Sequence, residues 1–375
     1  VLNLLILCTD EEGVYMADIL ILTASFGMGH NSVSNALKEQ IETSDKNAEI
    51  MIADILEIVD PKVKKFSSKM YCELTENYPT VYNTFYDMKA SSKKNIIDNV
   101  FCNLYYKKFY DYMEAEKPKL IISTFPLCSC IVSRVKEEYD VDVNLITVIT
   151  DVVDSWEWIY EKTNLYLVPT NEIKSRLINK GIDKDIIIVT GIPVKKEFLS
   201  KDIGMSYKEK NTILIVLSGI DNVSADLLQK LDSNTNFKIK IVAGRNKKLY
   251  KKLSEYKYSN IEVYGYVNNI NQMMDESVFI VTKPGGVTIF EAINKELPLI
   301  VLNSNIGQEK GNIEFIKHTR IGIVLDDMSN LPYILDYYAN NSGVINYYCK
   351  NIRRVKRTLN YNRVIGLVLD EVVHV

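Results

Sequence analysis

Residues 278–292 read VFIVTKPGGVTIFEA. A run of apolar and β-branched residues reaches Lys283 and Pro284, closes on the pair Gly285 and Gly286, and resumes with helical spacing through Thr288 and Glu291. A strand buried on both faces of a parallel sheet reads as such an unbroken apolar run, and the turn at its carboxyl end is where ligands of open α/β sheets bind. Two glycines there leave backbone amides bare at a helix N-terminus, an anion site suited to a pyrophosphate. Thr288-x-x-Glu291 is equally a capping box, in which both side chains satisfy the helix's own free amides and no ligand is needed. On the sequence alone both readings stand.

The same rhythm recurs on either side. Upstream lie DILILTA (18–24), EIMIADI (49–55), LIISTF (120–125), VNLITVIT (143–150), LYLVPT (165–170) and IIIVTG (186–191). A second series runs through TILIVLSG (212–219), KIKIVAG (238–244), IEVYGY (261–266), the opening stretch, LPLIVLN (297–303) and IGIVL (321–325). Polar, helical-looking stretches separate most of them. Two successive series predict an α/β chain of two Rossmann-like doubly wound domains facing a cleft, residues 1–197 and 198–375, with the polar segment 195–211 as linker.

The first domain carries its own glycine turn, ILTASFGMGHNS (21–32), with Gly27, Gly29, His30 and Asn31. It is not the dinucleotide fingerprint, because Val33 stands where a third glycine belongs, and no Gly-Lys-Ser/Thr follows to make a P-loop. What remains is a tight strand-to-helix turn with a histidine in the helix's first turn. There the dipole favours the neutral imidazole, which can accept a proton. A catalytic base fits that position, and so does a histidine that merely caps the helix.

Composition bounds the rest. Of 375 residues 47% are hydrophobic and 25% charged, ordinary values for a folded soluble chain, and the net charge of −3 implies no whole-molecule attraction to nucleic acid. Six cysteines without a CxxC pair read as reduced thiols. Asp140-Val-Asp142 and Asp183-Lys-Asp185 both precede strands, at the wrong sheet edge for a catalytic metal, so no metal is expected. LNLLILC at the start is too short for a membrane span and lacks a charged lead; residues 1–15 read as an upstream extension before Met16.

Residues 61–117 break the β/α rhythm. They hold no strand-like run, their aromatic residues fall at helical spacings, and ten lysines face seven acids, a positive segment in an acidic chain. A helical insertion is expected. Its bland reading is packed helices with solvated lysines; its sharper one is a headgroup-facing surface on an anionic membrane, centred on Lys62, Lys64, Lys65, Phe66 and Lys69.

Taken together, ASFGMGHNSVSNAL, ITDVVDSWEW, VTGIPVKKEF, YGYVNNINQMM and TKPGGVTIFEAINKELPLIVLNSNIGQEKGNIEF resemble the two-domain GT-B glycosyltransferases of the monogalactosyldiacylglycerol synthase and processive diacylglycerol glucosyltransferase family. That family is related to the peptidoglycan N-acetylglucosaminyltransferase. The resemblance implies a donor, UDP-glucose or UDP-galactose, held by the C-terminal domain. Lys283, Pro284, Gly285, Gly286 and Thr288 would surround the diphosphate, together with Gly219 from a loop that is richer in glycine in the family. Glu291 would take the ribose hydroxyls and the backbone near Val267 the uracil, while Gln308, Glu309 and Asn312 would face the sugar. The resemblance further implies diacylglycerol as acceptor, beside Gly27, Gly29, Asn31 and Trp156, and inverting transfer with His30 or the nearby Asp151 as base. No cofactor is expected beyond the donor. The protein is expected in the cytoplasm, peripheral on the inner face of the cell membrane. A soluble sugar-nucleotide epimerase and a non-catalytic nucleotide-sugar or lipid-binding protein are the alternatives.

Overall fold

The computed structural model describes residues 18–25, 29–62, 64–65, 73, 78, 80, 83–84, 86–87, 96–199, 210–218, 220, 223–234, 236–360, 366 and 368. The first six apolar runs form one parallel sheet: β1 (Ile19–Thr23), β2 (Ile50–Asp54), β3 (Leu120–Ser123), β4 (Asn144–Val148), β5 (Leu165–Val168) and β6 (Ile187–Val189), in the order β2-β1-β3-β4-β5-β6. The second series forms another: β7 (Thr212–Val216), β8 (Lys238–Val242), β9 (Ile261–Tyr264), β10 (Ser277–Thr282), β11 (Leu299–Leu302) and β12 (Gly322–Leu325), in the order β12-β11-β10-β7-β8-β9. The central strands β1 and β10 are buried along their whole length, which is why they read as continuous apolar runs.

The helices are α1 (Gly29–Ser44), α2 (Ile55–Val59), α3 (Ile96–Glu116), α4 (Pro126–Tyr139), α5 (Asn171–Asn179), α6 (Lys196–Leu199), α7 (Ala225–Asn234), α8 (Lys247–Ser254), α9 (Ile270–Glu276), α10 (Gly286–Asn294), α11 (Gly307–Thr319), α12 (Leu331–Asn340) and α13 (Ser342–Lys356). Strand order reverses between β1 and β3 in the first sheet and between β7 and β10 in the second. Crossover helices leave these reversals on opposite faces, so each opens a crevice at the carboxyl edge. Both glycine turns lie at such a crevice, one after β1 and the other after β10.

Within the insertion, α3 is helical as expected, and its aromatic face serves packing. Phe109 and Met113 are buried in a cluster with Ile131, Val132 and Val135 of α4, and Tyr110 stacks on Tyr139 with ring centroids 3.8 Å apart. The reading of every cysteine as a reduced thiol is corrected. Cys102 of α3 and Cys130 of α4 form a disulfide across two helices that pack side by side, with Cα atoms 6.4 Å apart. Spacing along the chain sees only local pairs; this one spans 28 residues. Cys128 and Cys349 are free and buried.

The two sheets share one apolar mass. A single buried cluster takes in Ile19 and Ile21 of β1, Ile146 and Val148 of β4, Leu214 of β7, Ile280 of β10 and Phe290 of α10. Helix α1 packs on α6 and α10, and buried Gln40 of α1 donates its amide to the Val194 carbonyl at 2.6 Å. Position 197/198, the expected division, falls inside α6.

Candidate donor and acceptor site

The turn after β10 decides between the two readings of Thr288 and Glu291. Helix α10 starts at Gly286 with Gly285 at its N-cap and no side-chain cap, so Thr288 is the third helical residue and Glu291 lies a turn further on. The capping box is therefore not formed, and Glu291 stands beyond the helix's first turn. Gly286 has a steric reason to be glycine: a Cβ there would lie 2.4 Å from the Thr150 carbonyl oxygen and 2.8 Å from Asp151 Oδ1 of the other domain. Its amide already donates to the Asp151 carboxylate, and the Ile289 amide to the Gly285 carbonyl.

Across the cleft His30 is the second residue of α1 and half-buried. Its Nδ1 lies 2.9 Å from the Thr124 carbonyl and 3.0 Å from Thr150 Oγ1, and its ring meets the edge of Phe125 at 5.0 Å. A carbonyl can only accept, so the neutral ring carries its proton on Nδ1 and keeps the Nε2 lone pair. Burial pushes the imidazole down from 6.5 to about 4, against the smaller upward pull of the Thr124 carbonyl, so the ring is neutral at physiological pH. Asn31 braces the turn from within: it accepts from Thr23 Oγ1 at 3.3 Å and donates to Ser25 Oγ at 3.5 Å. Ser25 in turn donates from its hydroxyl to Asp54 at 2.7 Å.

These groups from the two domains line one cavity of about 350 Å³. Gly29, His30 and Asp151 come from the first domain; Lys283, Gly285, Gly286, Thr288, Glu291, Gln308 and Glu309 come from the second. Lys283 Nζ lies 3.3 Å from the buried carboxylate of Glu309. A second cavity of about 310 Å³ shares Ser32, Val216, Ser218, Val287 and Glu291 with the first and continues along Gly244, Arg245, Tyr266, Val267 and Asn268. Glu291 thus stands where the two volumes meet. Burial pushes its carboxyl up from 4.5 to about 8, with the Glu197 charge adding to the rise and Lys195 opposing it. Asp151 behaves similarly. Burial pushes it up to about 7 against the hydrogen bond from Asn312, with Glu309 raising it further and Lys283 and the Gly286 amide lowering it.

Four expected residues line neither cavity: Asn31, the brace within its own turn, and Pro284, Asn312 and Trp156. Asn312, expected to face the sugar, is wholly buried and bridges the domains: its Oδ1 accepts from the Val152 amide at 2.8 Å, and its Nδ2 donates to Asp151 Oδ1 at 2.8 Å and to the Pro284 carbonyl at 2.9 Å. Pro284 thereby enters the interface through its carbonyl. Trp156 opens a short 3₁₀ turn, Trp156–Trp158, and lies beneath Lys180 with its ring 5.2 Å from the ammonium, off both cavities. Of the cluster expected to face a membrane, Lys62 and Lys65 are exposed, whereas Lys64 pairs with Asp54 at 3.2 Å and Glu57 at 2.8 Å. Phe66 and Lys69 lie outside the described residues, as do Gly27, Gly219 and residues 1–15. Sequence reasoning passed over Thr124, Thr150, Arg245 and Tyr266. All four follow the carboxyl ends of strands, and that position is the signal that could have found them.

Two doubly wound sheets closing on a paired cavity, with a neutral histidine on one wall and a helix N-terminus on the other, define a GT-B glycosyltransferase. The chain matches the monogalactosyldiacylglycerol (MGDG) synthase family over residues 30–194 and the glycosyltransferase family 28 C-terminal domain over residues 185–336. It is 30% identical over 349 residues to a processive diacylglycerol beta-glucosyltransferase of Staphylococcus haemolyticus, spanning 86% of this chain and 87% of the relative. A protein of the same name from Staphylococcus carnosus is 28% identical over 356 residues, spanning 90% and 88%. The chain belongs to this diacylglycerol glycosyltransferase family. In fold alone it is similar to MurG of Acinetobacter baumannii, with a TM-score of 0.59 at 10% identity over 94% of this chain and 99% of that one.

Proposed function

We propose that the protein transfers a hexosyl group from UDP-glucose or UDP-galactose to the free hydroxyl of diacylglycerol, with inversion at the anomeric carbon. The observation that carries this reading is the single cavity in which His30 faces the residues around the α10 N-terminus. UDP lies along the two connected volumes: uracil beside Val267, ribose hydroxyls on Glu291, and diphosphate against Thr288 and the N-terminus of α10 past the Gly286 amide, where the helix dipole favours negative charge. The hexose extends towards Gln308 and Glu309.

His30 Nε2 accepts the proton of the acceptor hydroxyl as its oxygen bonds to the anomeric carbon. The bond from that carbon to the diphosphate oxygen breaks, and UDP leaves with the electron pair. The α10 amides and dipole stabilise the charge that develops on the leaving group. Thr124 and Thr150 hold the ring by Nδ1, so the accepting atom is fixed before substrate arrives. The proposed step uses only protein groups, the donor and the acceptor hydroxyl.

The acceptor is reached from the inner face of the cell membrane by peripheral attachment. The described residues include no helix long and apolar enough to cross a membrane, and Lys62 and Lys65 offer exposed charge on the acceptor domain. The test is incubation with labelled UDP-glucose or UDP-galactose and dispersed diacylglycerol. A β-linked, chloroform-soluble glycolipid is expected from one of the two donors. Label confined to the aqueous phase, as free sugar or a rearranged sugar nucleotide, would refute the reading.

A further inference from the structure

The exposed face of helix α8 carries charge that works against the helix's first turn. Its sequence is KKLYKKLS, and Leu249 and Leu253 are buried beneath it while Lys247, Lys248, Lys251 and Lys252 are exposed. At 100° per residue the four lysines occupy one continuous face opposite the two leucines. Lys247 and Lys248 sit in the first turn, where the helix dipole disfavours cations. Lys247 with Lys251, and Lys248 with Lys252, are like charges at the i,i+4 spacing, which destabilises a helix. None of the four forms an ion pair among the described residues.

Two other helices follow the opposite rule. On α5, Glu172 in the first turn pairs with Arg176 four residues later at 2.7 Å, and on α7 Asp226 pairs with Lys230 in the same way at 2.7 Å. A local arrangement that works against an element's own stability with no evident structural gain is where function is to be sought. The surroundings sharpen the pattern. Residues 245–258 hold six cations and one acid, Glu255, in a chain of net charge −3. Tyr250 within the helix and Tyr256 two residues past its end are 41% and 52% exposed. Gly244 and Arg245, just before the helix, line the nucleoside cavity, so the basic face starts at the lip of the cleft.

We propose that the α8 face docks on an anionic lipid bilayer, so that the donor domain, and not only the acceptor domain, rides on the membrane. Lysines with interleaved tyrosines suit a headgroup layer, where ammonium groups meet lipid phosphates and the phenol rings lie between water and acyl chains. This assignment rests on the lipid-acceptor reading for its purpose, though the vesicle measurement does not depend on it.

The experiment is co-sedimentation with vesicles of phosphatidylcholine and phosphatidylglycerol at 7:3, and with pure phosphatidylcholine, in about 0.1 M salt. Each lysine brought to an anionic surface contributes about fivefold in partitioning. The K247S/K248S/K251S/K252S variant is therefore expected to bind the anionic vesicles at least about 25-fold more weakly, with half of the lysines in contact. The UDP dissociation constant should be unchanged, and neither protein should bind the neutral vesicles appreciably. K247E/K248E supplies the control for folding: it matches the dipole and creates two i,i+4 pairs, so it should melt no lower than wild type while binding the vesicles less. Wild-type partitioning by either variant overturns the proposal, as does tighter binding to a single-stranded oligonucleotide at equal phosphate concentration. In neutral detergent micelles the serine variant should make glycolipid at the wild-type rate, and on anionic vesicles more slowly. A wild-type enzyme that makes no glycolipid in micelles or on anionic vesicles would refute the acceptor reading and leave the vesicle binding to decide the α8 surface.

Discussion

Replacing Glu291 by glutamine separates a ribose ligand from a structural acid. The carboxylate is worth about 1.5 to 3 kcal/mol to bound UDP if it accepts charge-assisted hydrogen bonds from the ribose. In the unliganded protein, burial and the nearby Glu197 push its carboxyl up to about 8. At pH 7 only about one molecule in eleven then carries the charge, and ionising the rest costs about 1.4 kcal/mol of the binding energy. UDP selects the ionised form, so wild-type affinity should rise about tenfold between pH 7 and 9. The terminal phosphate ionises near 6 and adds little in that window. Glu291→Gln should bind UDP with no such slope, losing about 1.5 to 3 kcal/mol at pH 9 and about 1.4 kcal/mol less than that at pH 7. Stability runs the other way. A carboxyl whose folded value lies above its ordinary 4.5 stabilises the fold while protonated, and that contribution is lost as pH rises through about 8. The unliganded glutamine variant should therefore melt at or above wild type, most clearly above pH 8. Isothermal titration calorimetry across pH, paired with thermal melts, reads both. A wild-type affinity flat from pH 7 to 9, or a glutamine variant that keeps its affinity and melts lower, would remove Glu291 from the nucleotide.

His30→Ala should lower kcat by roughly 10² to 10⁴ and leave UDP affinity nearly unchanged, because the proposed donor contacts lie on the other domain; turnover within a few-fold of wild type would end its role as base. With burial holding His30 at about 4, kcat at saturating donor should stay level from about pH 5.5 to 8. An acid limb near 7 that vanishes in Asp151→Asn would transfer the role to Asp151, whose carboxyl burial pushes up to about 7. Asn312→Leu leaves the Val152 amide, the Asp151 carboxylate and the Pro284 carbonyl short of a partner, at about 1 to 3 kcal/mol for each buried group. Its melting temperature should fall by several degrees, and a melt coincident with wild type would contradict the bridge.

Periodicity made the fold legible. Each apolar run became a strand because parallel strands are buried on both faces and leave an uninterrupted signature. The strand ends also pointed to the cleft, since Gly286, Glu291 and His30 all follow carboxyl edges. Their division of labour was not readable. Asn312 sits in the stretch that resembles sugar-contacting residues, yet its amide faces the other domain, and no one-dimensional pattern records what lies across a cleft. Gly286 is bare chiefly because the Thr150 carbonyl comes close, a contact between residues far apart in the chain. Lys64 is basic like its neighbours, but only the fold brings Asp54 within reach. The Cys102–Cys130 pair escaped for the same reason.

The apolar mass shared by the two sheets has a consequence for how such a protein can change over time. With donor and acceptor held by different halves, as proposed, recombination would trade one half for another and pair a new sugar with an old lipid. The seam of α1, α6 and α10 forbids a free exchange. An incoming half must fit Thr150, Asp151 and Ile192 on one side against Gly286 and Asn312 on the other, as well as supply its own ligand contacts. The halves are inseparable in how they pack, so under the proposed division new specificities should arise mainly by substitution at the cavity walls, with grafted halves inherited only alongside their partner's seam.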